Sequence, residues 1–111
     1  MSVIGYTQLM KDVLDLDKES VELQLEKLAS HKLTGLRLQA LRQLAKESRG
    51  TVCSVLKKIV PNHTGGTYKT IMAFFQALEH DNIVARDKVG NRSYWKFSEN
   101  AKDLENYFKS S

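Results

Sequence analysis

Cysteine and proline each occur once in this 111-residue chain, as Cys53 and Pro61. A single cysteine cannot close an internal disulfide, so nothing staples the fold covalently, and the usage points to a reducing, intracellular compartment. No run of about 18 apolar residues is present, which excludes a membrane-spanning helix. The first twenty residues, MSVIGYTQLMKDVLDLDKES, lack a basic leader followed by a continuous apolar stretch, so no signal peptide is expected. His31, His63 and His80 are scattered and lack metal-ligand spacing beside Cys53, so no metal site is expected. Gly65-Gly66 is not followed by the lysine and hydroxyl residue of a phosphate-binding nucleotide loop, and a helix, not a strand, precedes it. No Ser-His-Asp or Cys-His arrangement is visible along the chain. The expectation is a protein that is not an enzyme and needs no cofactor.

The composition that remains, 41% hydrophobic and 27% charged, is that of a globular domain with one modest core. Charge is distributed unevenly. Residues 1–32 carry four lysines against six acidic residues, a net of −2, and residues 33–111 carry 13 Lys and Arg against seven, a net of +6. The positive excess of the last two thirds suits a polyanionic partner.

Apolar spacing predicts a series of short helices. Leu9, Met10, Val13 and Leu14 fit one over residues 7–15. Asp17 or Ser20 could cap a second, with Val21, Leu25 and Leu28 on one face. A third runs from about Thr34 to Ser48 with two apolar rows, Leu33, Leu36, Ala40, Leu44 and Leu38, Leu41, Ala45, which call for cover on more than one side. That leaves Arg37, Arg42, Lys46 and Arg49 for solvent, with Gly50 as the left-handed stop.

Thr51 opens a short helix, TVCSVLKKIV, with Val52, Val55, Leu56 and Ile59 inward, and Pro61 ends it. Cys53 is expected there as a small buried or half-buried filler. After the turn PNHTGG a longer helix spans about Thr67 to Asp81. Its apolar face is Tyr68, Ile71, Met72, Phe75 and Leu78. Its other face, Gly66, Lys69, Thr70, Ala73, Gln76, Ala77 and His80, is small and polar with one lysine.

From residue 83 the rhythm changes to that of strands. IVARDK and RSYWKFS flank the tight-turn pair Gly90-Asn91, which predicts a hairpin over residues 83–98, with Trp95 and Phe97 inward. Ser98 then caps a last helix whose apolar side is Ala101, Leu104, Tyr107 and Phe108.

Residues 34–98 resemble a winged helix-turn-helix domain of the bacterial, archaeal or viral transcription-regulator type. The likeness lies in the short helix TVCSVL, the turn, the longer helix ending ALEHDNIV and the hairpin with the tip KVGNRS. LEHDNIVAR is similar to the junction that precedes the first wing strand in such regulators, with Asn82 where glycine is more usual. TYKTI is similar to the TVYRTL type of entry into their recognition helices, but lies about one turn further from NIV than is usual.

The resemblance implies a mainly α fold with a β-hairpin wing, as one domain. Residues 1–32 would be a helical extension, 33–98 the winged core and 99–111 a closing helix. It implies binding of double-stranded DNA as a small transcriptional regulator, with residues 67–81 in the major groove. Thr67, Lys69, Thr70, Ala73 and Gln76 would face bases or phosphates, and His63, Thr64, Gly65 and Gly66 the backbone at the helix mouth. Thr64 or Thr67 would also cap the helix. Arg86, Lys88, Asn91, Arg92 and Lys96 of the wing would lie on the backbone or in the minor groove.

A homodimer matches two-fold operators. Leu104, Tyr107 and Phe108, with no evident partner in residues 34–98, are candidate dimer contacts, and the apolar rows of the N-terminal pair of helices are the other candidate surface. The expected location is cytoplasmic, on the nucleoid when bound to DNA, with no membrane partner. Two other functions fit the same fold: a protein-interaction module, and a factor for DNA replication, its termination, or plasmid or viral maintenance.

Overall fold

The computed structural model describes residues 22–110. The helix expected over residues 7–15, the caps at Asp17 or Ser20, and Val21 lie outside them. Five α-helices and one antiparallel hairpin follow in chain order. They are α1 (residues 22–30), α2 (Gly35–Glu47), α3 (Val52–Ile59), α4 (Gly65–His80), β1 (Val84–Val89), β2 (Arg92–Phe97) and, after a 3₁₀ turn at Glu99–Ala101, α5 (Lys102–Ser110). The arrangement is the expected winged helix-turn-helix, α+β in class. No helix among the described residues is long and apolar enough to cross a membrane.

Each boundary has a local cause. Thr51 caps α3 by accepting a hydrogen bond from the Ser54 amide, and Thr64 caps α4 by accepting one from the Thr67 amide. α2 ends at Ser48, whose φ of 66° takes the left-handed position that the sequence suggests for Gly50. Gly50 has another task. Its amide donates to the Trp95 carbonyl at 2.9 Å and its carbonyl accepts from the Trp95 amide at 2.7 Å, so the α2–α3 loop pairs with β2 as a one-residue third strand. A Cβ there would stand 2.7 Å from Ser54 Oγ and 2.9 Å from Glu47 Oε1.

The turn of the helix-turn-helix is made by Val60-Pro61-Asn62-His63, closed by the His63 amide on the Val60 carbonyl at 3.1 Å, with proline at its usual second position. The glycines therefore do not make the turn. Gly65 and Gly66 are the first two residues of α4.

Trp95, Phe75, Phe97, Leu41, Leu44, Leu56, Ile71, Leu78, Ile83 and Leu104 are fully buried and form one core with Leu28 of α1. Burial of this kind stabilises by about 1.5–3 kcal/mol per large side chain before ordering costs. The wing is anchored as alternation predicts. Trp95 and Phe97 face in, and the Trp95 ring lies 5.6 Å from that of Phe75 on α4.

Asn82 carries φ of 61° at the α4–β1 junction and Gly90 φ of 63° at the wing tip. The Ser98 hydroxyl accepts no cap hydrogen bond from the 3₁₀ turn that leads into α5. It reaches back to the Asn82 and Ile83 carbonyls, tying the exit of the wing to its entry.

The C-terminal stripe does find partners within its own chain. Ala101, Leu104 and Phe108 join the core, with the Phe108 ring 6.2 Å from Phe97 and α5 packed along α2. Leu104 and Phe108 are thus spent on the fold of one protomer, contrary to the reading that leaves them for a dimer. Tyr107 alone of the three stays exposed, at 55%.

Arg37 also departs from expectation. Its guanidinium donates to the His31 carbonyl at 2.6 Å and covers the Phe74 ring at 5.5 Å, so it seals the α1–α2–α4 junction instead of facing solvent.

Candidate nucleic-acid interface

The outward face of α4 is the sequence-predicted one. Gly66, Lys69, Thr70, Ala73, Gln76 and His80 are all exposed and Ala77 is half-buried, while Ile71, Phe74, Phe75 and Leu78 are buried and Tyr68 and Met72 half-buried. The period of 3.6 residues separates the two faces. Phe74 widens the buried arc, because His31 meets its ring edge-on at 6.4 Å and Arg37 lies over it. Among the described residues Lys69 has no ion-pair partner, and small Gly66 and Ala73 leave its surroundings open to a broad ligand.

At the mouth of α4 the free amides of the first turn face outward with little side chain around them. Gly65 has nothing within 4 Å of where a Cβ would be, and Gly66 only Thr64 Oγ1 at 3.6 Å. Such a mouth carries partial positive charge. Thr64 Oγ1 sits 3.3 Å from both the Thr67 amide and the Thr67 hydroxyl. The Thr70 hydroxyl donates to the Gly66 carbonyl at 2.9 Å, so it offers an incoming group a methyl and lone pairs but not its proton. His63 is half-buried, with Nδ1 at 3.1 Å from the Val60 carbonyl.

The wing cations divide into two kinds. Arg86 Nε lies 3.4 Å from Glu79 Oε2 and its guanidinium covers Trp95 at 5.3 Å, so it buttresses the wing against α4. Lys96 Nζ lies 3.3 Å from Asp87 Oδ2. Arg49, from the α2–α3 loop, stacks on Tyr94 at 4.7 Å and approaches Asp87 at 3.9 Å. Tyr94 therefore packs under an arginine. Lys88, Asn91 and Arg92, at the tip, are exposed, and the two cations have no acidic partner among the described residues. The register pairs Lys88 with Ser93 and Val89 with Arg92, which sets Lys88 and Arg92 on opposite faces of the wing.

Between α3, α4 and the wing tip lies an open cleft of about 450 Å³. Lys57 and Arg92 supply its cations, Thr51, Ser54 and Ser93 its hydroxyls, and Tyr68 and Met72 part of its apolar lining. Sequence reading did not single out Thr51, Ser54 or Lys57 as site residues. The available signal was the polar face that α3 keeps opposite Val52, Val55 and Leu56. Cys53 also lines this cleft and is exposed, not the buried filler expected, because it sits about 100° around the helix from Val52.

His63, Thr64, Gly65, Gly66, Thr67, Lys69, Thr70, Ala73 and Gln76 thus share α4 and its entry, and Asn91 and Arg92 line the cleft beside it. Arg86 and Lys96 sit lower on the wing in internal pairs. No group of three or more His, Cys, Asp or Glu side chains that could hold a metal occurs among the described residues.

No protein-family model matches the chain, and no characterised protein matches it by sequence. Solved structures do match it in fold. One is the homodimeric winged helix-turn-helix DNA-binding domain of a possible ArsR-family transcriptional regulator from Mycobacterium bovis, with 23% identity and a TM-score of 0.55 over 82% of this chain and 77% of that one. A MarR family protein from Bacillus stearothermophilus has 17% identity and a TM-score of 0.53 over 99% of this chain and 75% of that one. The adhesin competence repressor of Streptococcus pyogenes has 21% identity and a TM-score of 0.54 over 92% and 71%.

Proposed function

We propose that the protein binds double-stranded DNA in a sequence-specific way, as a small homodimeric transcriptional regulator. The observation that carries this reading is the pairing of one exposed, small, polar helix face with free cations on the adjoining wing tip. Gly66, Lys69, Thr70, Ala73 and Gln76 give α4 a surface narrow enough for a major groove about 12 Å wide. Gln76 suits adenine and Lys69 suits guanine or a phosphate.

The bare amides of Gly65 and Gly66, with the capping threonines, suit a backbone phosphate at the helix mouth. Lys57, Thr51 and Ser54 on one side of the cleft, and Asn91 and Arg92 on the other, bracket the path a strand would take past α3. The wing tip lies on the backbone or in the minor groove.

The structural neighbours lend weight to regulation, since one is a competence repressor and another is the homodimeric DNA-binding domain of a possible transcriptional regulator. Exposed Tyr107 is the one residue of the C-terminal stripe free to take part in dimerisation. Selection of bound sequences from a random duplex pool, followed by titration with rising salt, tests the reading. Enrichment of a two-fold motif with salt-dependent affinity is the expected result. Absence of retardation of any duplex at low ionic strength would overturn it.

A further inference from the structure

A second hollow, of about 360 Å³, opens where α2 meets the end of α3, with no wing residue in its lining. Its walls are Gln39, Arg42, Gln43 and Lys46 of α2 with Lys58 and Ile59 of α3. Arg42, Lys46 and Lys58 are all exposed, and none has an ion-pair partner among the described residues. The carboxylate nearest along α2, Glu47, accepts a hydrogen bond from Gln43 Nε2 at 3.1 Å.

The helix ends favour Lys46 and Lys58, which stand in the last turns of α2 and α3. Arg42 has no such support. It lies four residues from Lys46 on the same helix face, where like charges oppose one another. The three cations that line the hollow, with the side-chain amide of Gln39, make a wall of donors with no carboxylate paired to it among the described residues.

A phosphate oxyanion has the charge and the geometry to fill it. The Arg42 fork can bond two phosphate oxygens while the lysines act as point charges. The hollow is more open than the first cleft, so it suits one edge of a polymer backbone better than an enclosed small molecule. Its position favours nucleic acid over an acidic protein. Lys57, the neighbour of Lys58, lines the cleft beside α4, and adjacent residues on a helix are about 100° apart, so α3 carries a cation to each flank.

The geometry points to this hollow as a second seat for the DNA backbone, outside the stretch covered by α4 and the wing. The inference rests on the DNA-binding reading given above. It adds that the domain grips phosphates at two separated places. A duplex bound at α4 gains affinity when it is long enough to bend towards α2, or when a second duplex lies there.

Two duplexes carrying the selected motif test it. One is no longer than the α4–wing footprint, and the other is extended by about one helical turn, roughly 10 base pairs, on each side. The full chain is compared with the triple variant Arg42→Gln, Lys46→Gln, Lys58→Gln and with Lys58→Gln alone, each checked for unchanged thermal unfolding. On the extended duplex the slope of log affinity against log salt is expected to fall by about 2–3 in the triple variant and about 1 in the single one, at about 0.9 per phosphate contact.

The short duplex is expected to show no change. If the variants lose affinity for the short duplex only when it is in excess over the protein, so that a second copy can lie at α2, a separate duplex is the source of the phosphates. An unchanged slope on the extended duplex would overturn the inference. So would an equal fall on both duplexes, or a loss confined to binding of polyglutamate, which would assign the hollow to an acidic protein. Failure of the wild-type chain to bind either duplex would instead overturn the DNA-binding reading, and this inference with it.

Discussion

His31 Nε2 stands 2.6 Å from Asp81 Oδ2, joining the end of α1 to the C-cap of α4 across 50 residues of chain. An acidic side chain at a helix C-terminus is opposed by the helix dipole, so Asp81 needs this partner. Both side chains are mostly buried, at 21% and 28% exposure. His31→Ala and Asp81→Ala are each expected to cost about 1 kcal/mol in urea unfolding. The double variant should cost less than the sum, and strict additivity would show that the pair contributes nothing.

Trp95 has a buried indole Nε1 with no hydrogen-bond partner among the described residues. Trp95→Ala is expected to cost about 3–5 kcal/mol, as removal of a large core ring does. Trp95→Phe should recover more than half of that, because it keeps a ring against Phe75 and removes the unsatisfied donor. Thermal unfolding of the two variants checks the order.

Asn82 holds a left-handed backbone at φ of 61° while its side chain is exposed. Asn82→Gly is expected to leave stability nearly unchanged, and Asn82→Val to lower it by about 1–2 kcal/mol through strain alone. Equal effects in denaturant titration would show that the junction relaxes.

Arg86 and Arg92 are both wing arginines, yet their surroundings assign them different effects. Arg92→Ala is expected to lower the salt slope of DNA binding by about 1 with no change in thermal stability. Arg86→Ala is expected to lower stability, since it loses Glu79 and the cover of Trp95, and to leave the slope nearly intact. Fluorescence anisotropy at several salt concentrations separates the two.

Leu104 and Tyr107 divide in the same way. Leu104→Ala is expected to destabilise the chain by about 2–5 kcal/mol at any protein concentration. Tyr107→Ala should leave the unfolding of a protomer alone and weaken self-association in sedimentation. A sedimentation profile that Tyr107→Ala does not alter would remove this residue from the dimer contact.

Local rules made much of the fold legible in the sequence. The stripes of α3 and α4, the cap at Thr51, the left-handed Asn82, the glycine at the wing tip and the inward pair Trp95 and Phe97 each follow from a few neighbouring residues. What escaped depends on distant ones. Gly50 looks like a helix stop in the sequence because Trp95 of β2, its partner 45 residues on, is invisible locally. Gly65-Gly66 is the local exception, since Pro61-Asn62, four residues earlier, makes the turn and the glycines open α4. The partners of Leu104 and Phe108 lie on elements that meet α5 only after folding.

The same division holds at the site. The polar face of α4 is a matter of period and was predicted residue by residue. Which wing cations are free was not, because Glu79 and Asp87 claim Arg86 and Lys96 through contacts between separate elements or strands. The cleft beside α4 needed three elements in place before Thr51, Ser54 and Lys57 could be seen together.

The two hydrogen bonds between Gly50 and Trp95 have a consequence for how such a domain can be rebuilt. They make the wing and the α2–α3 loop one mechanical unit, clamped at its base and free at its far end. New residues spliced in at Gly90-Asn91 would lengthen an unclamped tip, and the rest of the molecule would tolerate them. One residue added between Ser48 and Thr51 would slide the loop along β2 and turn the start of α3 relative to the wing. Variation in length is therefore admissible at the tip, where a target can be chosen, and barred at the clamp, where the frame is set.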